Sequence, residues 1–270
     1  MLATEPAAGP PKAPRPVFDL PWRQRLLMVL LGYLPFLHLV ATLASAIWPF
    51  VVDGRRAWAW SALGLLYLVP PLASRLASWA IPRPDGRFEV AAKELLQWWF
   101  HAQWQVIFNR LPFLEELLRL VPGLYSAWLR LWGARIGPLV YWSSGVTVLD
   151  RGCLEVGGRV VFGAGAALST HVLMPDDSGR LKLLISPIVI GSDTLVGGYA
   201  VLSPGTVVAA GELLPAFSRI PPFTVFKGGR RERQGSADWL TAAALVTAST
   251  AAPGSSTTGG AGAAPETTPN

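Results

Sequence analysis

Cysteine occurs once in this 270-residue chain, at Cys153. An internal disulfide framework is therefore excluded, as is any zinc site built from several cysteines, and the chain fits a reducing compartment. Charge is scarce as well: 15% of residues are charged, against 51% hydrophobic. That balance is too apolar for an ordinary soluble protein and predicts contact with lipid. The net charge of +6 would ordinarily raise nucleic acid as a partner. The arginines, however, are scattered among tryptophans and leucines with no binding motif, so no nucleic acid is expected and the cations read as membrane-flanking.

What is abundant is a period of six. One run reads Val156-Gly-Gly-Arg-Val-Val, Phe162-Gly-Ala-Gly-Ala-Ala, Leu168-Ser-Thr-His; a second reads Ile190-Gly-Ser-Asp-Thr-Leu, Val196-Gly-Gly-Tyr-Ala-Val, Leu202-Ser-Pro-Gly-Thr-Val, Val208-Ala-Ala-Gly-Glu-Leu. Neither an amphipathic helix nor an alternating strand has this period, whereas short strands stacked in a parallel β-solenoid do, with one aliphatic residue pointing inward per side. The fifth place is small or β-branched (Val160, Ala166, Thr194, Ala200, Thr206), suited to a second, tighter inward position. Ile136, Trp142 and Val148 keep the same spacing, but Val148 to Val156 is eight residues, so the first coil is irregular.

Residues 1–21, rich in Pro and Ala, read as a disordered leader. Arg23 and Arg25 precede an uncharged run from Leu26 to Val52, long enough to cross a bilayer even with Pro35 inside it. A competing reading is a cleaved secretory signal ending near Ala44-Ser45-Ala46. A second uncharged run, Ala57 to Ser74, has Trp58, Trp60 and Trp79 at its ends. Residues 22–80 are thus expected to form a transmembrane helical hairpin. The bias of Lys and Arg places both termini, and the repeat domain, on the cytoplasmic side of the inner membrane.

Residues 81–132 read as amphipathic connector helices on the membrane face, bounded by Pro112 and Pro122, with Trp98, Trp99 and Trp104 either interfacial or buried. Residues 133–231 carry the repeats, and 232–270, poor in charge and large residues, read as a mostly disordered tail.

Chemistry is expected where the period fails. His171 is the one histidine of the repeat domain, in the fourth place of its hexad, at a corner. From Leu168 to Ile190 is 22 residues, read as a coil of 18 plus four, and the excess includes the turn-rich Pro175-Asp176-Asp177-Ser178-Gly179.

The hexads resemble the left-handed β-helix of the hexapeptide-repeat acyltransferases over roughly residues 133–231, with Ile190 to Val208 as one full coil. The small-Thr-His corner, the polar loop and Ser186-Pro187-Ile188-Val189-Ile190-Gly191 resemble the colanic-acid-type and xenobiotic-type O-acetyltransferases of that family. The resemblance implies a mainly β fold, a homotrimer, acetyl- or acyl-coenzyme A as co-substrate in the groove between subunits, and His171 as general base toward an acceptor hydroxyl. It implies Gly197 and Gly198 as a place of close approach for the pantetheine arm, or else merely a tight solenoid corner. The closing segment, Ile220-Pro221-Pro222-Phe223-Thr224-Val225-Phe226-Lys227-Gly228-Gly229-Arg230-Arg231, departs from the family's Asn-Pro-Ala-Arg ending. Lys227, Arg230 and Arg231 are its candidates for the coenzyme phosphates, or else solvated surface charge. Val172 stands where an acidic or amide residue often follows the histidine, leaving Asp176 and Asp177 as candidate orienting partners. The carbonic anhydrases on this scaffold need three histidines across an interface, which one per domain does not supply, so no metal is expected. A non-catalytic scaffold, resembling the tail of peptide-synthetase-like membrane proteins, is the alternative.

Overall fold

The computed structural model describes residues 20–53, 60–176 and 179–233. The leader, the turn around Arg55 and Arg56, Asp177 and the tail fall wholly or largely outside the described residues.

The hexads form three parallel walls. Strands β2 (Arg135–Ile136), β3 (Tyr141–Trp142) and β4 (Thr147–Val148) make the first coil, and β5 (Leu154–Val156), β6 (Val161–Phe162) and β7 (Ala167–Leu168) the second. A side arm of β8 (His171–Pro175) and β9 (Leu181–Ile185) intervenes. Then come β10 (Ile188–Ile190), β11 (Leu195–Val196) and β12 (Val201–Leu202), followed by β13 (Val207–Val208), β14 (Leu213–Leu214) and β15 (Arg219–Ile220). Strand β16 (Thr224–Lys227) begins one more coil and folds back as β17 (Arg230–Arg233). Each strand pairs in parallel with its equivalent one coil away, so Ile136, Val156, Ile190, Val208 and Phe226 stack on one wall. Trp142, Phe162, Val196 and Leu214 stack on the second, and Val148, Leu168, Leu202 and Ile220 on the third. All are buried, as are the fifth-place residues Val160, Ala166, Thr194, Ala200 and Thr206. The chain therefore has a β-dominated hexapeptide-repeat solenoid.

Where glycine follows the inward residue, at Gly137, Gly157, Gly163, Gly191 and Gly197, it does so because coils approach backbone to backbone. A Cβ on Gly197 would lie 2.3 Å from the Ala216 nitrogen of the next coil, and one on Gly191 2.4 Å from that of Ala210.

The break after Leu168 is not a coil with a few residues added. In-register pairing passes from Leu168 directly to Leu202, and the 22-residue step replaces an ordinary six-residue corner. Its extra length leaves the solenoid as the β8–β9 hairpin, closed at its neck by the Ser186 N–H donating to the Thr170 carbonyl (2.9 Å). Strand β1 (Gly86–Glu89), from the segment read as purely helical connector, adds antiparallel to β9. This three-stranded sheet lays Val172 and Leu184 over Val189, Val207, Phe223 and Val225.

At the opposite end the first coil would leave its apolar rungs open, and helices cover them. Helices α5 (Lys93–Gln103), α6 (Val106–Arg110), α7 (Phe113–Arg119) and α8 (Leu124–Leu131) follow β1. Tyr125, Trp128, Leu129 and Trp132 join Phe108 and Trp142 in one buried core, and the Trp142 indole donates to Ser126 Oγ (2.9 Å). The connector is thus largely an end cap, although Phe113, Leu117, Leu120 and Val121 remain exposed.

Upstream lie α1 (Trp22–Gly32), α2 (Leu34–Trp48), α3 (Ser61–Tyr67) and α4 (Val69–Ala77). One helix, Trp22–Val51, is long and apolar enough to cross a membrane, with most of its surface uncovered. The second apolar run packs beside the first, with His38 Nε2 donating to the Leu65 carbonyl (2.9 Å), but it forms no second helix of that kind among the described residues. Its helix is interrupted at Leu68, ahead of Pro70 and Pro71, which lack the N–H a continuous helix needs. Tyr67 then binds the cap through Leu114 and Trp128, and Arg75 through Arg130. Among the described residues one apolar helix of spanning length is therefore present, and the expected second span of the hairpin begins in residues outside the described ones.

Candidate active site

His171 opens the side arm, and its imidazole turns back toward the corner of the coil beneath. There the eight-residue step between Val148 and Val156 accommodates Asp150 and Arg151. His171 Nδ1 lies 2.5 Å from Asp150 Oδ2. Two further donors converge on the same carboxylate: Thr170 Oγ1 to Oδ2 at 2.9 Å and Trp98 Nε1 to Oδ1 at 3.0 Å. Burial pushes the Asp150 carboxyl up, but the His171 hydrogen bond and charge, with the Thr170 and Trp98 bonds, outweigh it and hold the carboxyl below its ordinary range. An ionised Asp150 takes the Nδ1 proton as a hydrogen bond, which leaves Nε2 as the basic nitrogen. The His171 side chain is 24% exposed against 9% for Asp150, and Nε2 has no hydrogen-bond partner among the described residues. The Trp98 ring covers one side of the imidazole, with centroids 4.5 Å apart.

The Asp150 corner is fastened to the cap. The backbone N–H of Arg151 donates to Gln105 Oε1 (2.8 Å), and its buried guanidinium pairs with Glu115 through Nε (2.6 Å) and Nη2. Glu115 also accepts from Tyr125 Oη (2.7 Å) and Arg119 (3.2 Å), so the buried carboxylate is fully engaged. Helices α5, α6 and α7 thereby set where Asp150 stands, and α5 supplies Trp98.

Two nearby groups are poorly suited to chemistry. His101 is buried between Ser74 Oγ (3.0 Å) and the Ile81 carbonyl (2.8 Å), and burial together with Arg83 pushes its pKa down, so it pins α4 to α5 as a neutral ring. Burial, reinforced by Asp150, pushes the Cys153 thiol up to about 12, which keeps it protonated.

His171 Nδ1 is bonded by Asp150 and not by Asp176, one of the two carboxylates named from sequence; the other, Asp177, lies outside the described residues. Asp176 sits at the far end of the arm, where Oδ1 accepts the Arg180 N–H (3.0 Å) and Oδ2 lies 3.7 Å from Lys182 Nζ. It borders a cleft of about 510 Å³ shared with Arg87, Lys182 and Phe223. Gly197 and Gly198 stand at the corner between the second and third walls, stacked over Gly163, whereas His171 stands at the corner between the third wall and the first. Lys227, Arg230 and Arg231 are exposed on the closing hairpin, whose turn is held by Glu212 accepting from the Gly228 (2.5 Å) and Gly229 (3.1 Å) N–H groups. Asp150, Thr170, Trp98 and Arg151 escape a sequence reading of the site. One signal for Asp150 existed, since the irregular eight-residue step falls at the same corner as the break after Leu168.

No protein-family model matches the chain, and no curated protein matches it. Among solved structures, it is similar to a hexapeptide-repeat acetyltransferase of Vibrio cholerae O1 biovar eltor complexed with acetyl coenzyme A. That similarity is 19% identity over 50% of this chain and 89% of that one, with a TM-score of 0.34. It is similar also to a maltose O-acetyltransferase of Clostridium difficile 630, at 18% identity over 46% and 82% of the two chains, with a TM-score of 0.28. A galactoside acetyltransferase in complex with coenzyme A is 15% identical over 48% and 82%, with a TM-score of 0.28. At such values the likeness adds nothing to what the coil geometry already establishes.

Proposed function

We propose that this chain is a membrane-anchored, coenzyme A-dependent O-acyltransferase. It would move an acetyl or longer acyl group from a thioester to a hydroxyl of a sugar, glycan precursor or lipid-linked acceptor. The observation that carries this reading is the His171–Asp150 pair at the break in the repeat, with Nδ1 committed to a carboxylate and the imidazole partly exposed. In the proposed reaction His171 Nε2 takes the proton of the acceptor hydroxyl as its oxygen bonds to the thioester carbonyl carbon. The C–S bond then breaks, the proton passes to the departing coenzyme A sulfur, and an ester and a thiol result. Asp150 stays ionised, holding the ring's tautomer and stabilising the imidazolium between the two proton transfers.

The same reading takes the solenoid as left-handed, the working form as a homotrimer, and the repeat domain as cytoplasmic. Lys227, Arg230 and Arg231 suit the phosphates of coenzyme A by charge. Gly197 and Gly198 lie at another corner from His171 within one chain, so their role toward the pantetheine arm requires a groove between copies.

His171→Ala should lower transfer from labelled acetyl coenzyme A about 10²–10⁴-fold, the usual range for a lost general base, with the oligomer size by light scattering unchanged. Unchanged turnover in the variant sinks the assignment. Failure of coenzyme A to raise the protein's melting temperature would favour a non-catalytic scaffold instead.

A further inference from the structure

We infer that the His171 site opens onto the membrane surface and that its acceptor hydroxyl is carried by a bilayer-embedded amphiphile. The inference rests on the acyl-transfer reading for its chemistry and on a separate set of contacts for its placement. Helix α1 has two faces of opposite use. Leu26, Leu27, Val29 and Leu30 are exposed and uncovered by protein, as continuous apolar helix surface is when lipid covers it. Its other face is locked to the catalytic region: Met28 packs against the buried cluster of Leu20, Val90, Leu95, Leu183 and Ile185, which Trp98 also borders, its carbonyl accepts the Trp99 indole N–H (3.1 Å), and Gln24 Nε2 donates to the Ala91 carbonyl (2.7 Å).

His171 is directly opposite Ile185 in the arm's register, and Trp98 lies against its ring. Trp98 and Ile185, which flank the imidazole, therefore belong to the same apolar cluster on which α1 packs through Met28. The depth follows from α1 itself. Trp22, Arg23 and Arg25 are exposed at its start, residue types that settle at the headgroup level, and Met28 lies six residues on, about 9 Å along the axis at 1.5 Å per residue. His171 thus stands beside the headgroup zone, where the hydroxyls of membrane amphiphiles are presented. Leu173, two residues beyond His171 and so on the same face of β8, is exposed and apolar, which suits that zone.

The test uses the full chain in phosphatidylethanolamine–phosphatidylglycerol vesicles and has two arms. In the first, a fluorophore is attached to the thiol introduced by Leu173→Cys in a Cys153→Ala background, and lipids carrying a headgroup-proximal nitroxide are added. A second protein is labelled through Leu213→Cys, on the solenoid's second wall, as the reference. Strong quenching at position 173 and little at 213 is expected; equal, weak quenching at both overturns the proposal whatever else is observed. In the second arm, labelled acetyl coenzyme A is supplied with dodecyl β-glucoside in the bilayer or methyl β-glucoside in solution. The embedded acceptor should be esterified at least about tenfold faster at matched bulk concentration, because confinement raises its concentration at the site. Equal rates overturn the proposal. Quenching with no label in either acceptor upholds the lipid-facing site and counts against acyl transfer, which keeps the two failures distinct.

Discussion

Asp150 and His171 are 21 residues apart in sequence and 2.5 Å apart in space, joined across successive coils at the one corner where both coils depart from the six-residue step. A solenoid repeats each corner one coil further on, so two irregularities at equivalent places become neighbours. The dyad is a product of that stacking.

Replacement of the carboxylate should separate orientation from structure. An Asp150→Asn side chain keeps the volume but must offer N–H to a site on which three donors converge. Transfer should fall toward the level of His171→Ala, within the same range of about 10²–10⁴-fold, measured with labelled acetyl coenzyme A. Full activity in the amide variant would falsify the orienting role.

The same residue predicts a pH dependence of stability. The Asp150 carboxyl is held below its ordinary range in the folded chain, so its unfolded form, with a pKa of about 3.9, binds protons more readily. Its stabilising contribution is then present above about pH 4 and is lost as pH falls through the lower folded value. Denaturant titrations of the natural chain and Asp150→Asn should differ above about pH 4 and converge as pH falls from there through the lower folded value.

Arg151 and Glu115 form a buried pair tying the Asp150 corner to the cap. Arg151→Met strands a buried carboxylate and should cost about 3–5 kcal/mol, whereas Arg151→Met with Glu115→Gln should recover much of that loss. Chemical denaturation of the four proteins of the cycle measures the coupling, and strict additivity would contradict it.

Cys153 is partly exposed, so access alone would permit alkylation. With its pKa pushed up to about 12 by burial and Asp150, iodoacetamide at about pH 8 should modify the native thiol far more slowly than the same thiol in denaturant, by mass spectrometry. The opposite sign for Asp150→Asn is informative: removing the neighbouring negative charge should speed the native reaction.

Most of the repeat fold was legible because a β-solenoid is written locally. Apart from the eight- and 22-residue steps at one corner, the inward residues from Ile136 to Phe226 recur at a spacing set by one side of the triangle, and the glycines that follow five of them sit where the next coil leaves no room for a Cβ. The histidine was legible for the complementary reason, as a titratable residue beside a break. The arm was misjudged because 22 residues fit a coil-plus-insertion as readily as a hairpin. Only pairing of Leu168 with Leu202 decides between them.

By itself, then, the sequence determined the solenoid, its rungs, the corner bearing His171 and one helix apolar enough for a membrane, since each rests on patterns of neighbouring residues. The tertiary structure alone decided that Asp150 orients the histidine and that Trp98 from α5 covers it. It alone decided that Arg151 and Glu115 bind that corner to the cap, and that the second apolar run joins it through Tyr67 and Arg75. These join residues 21 to 73 positions apart, through contacts that no local period encodes.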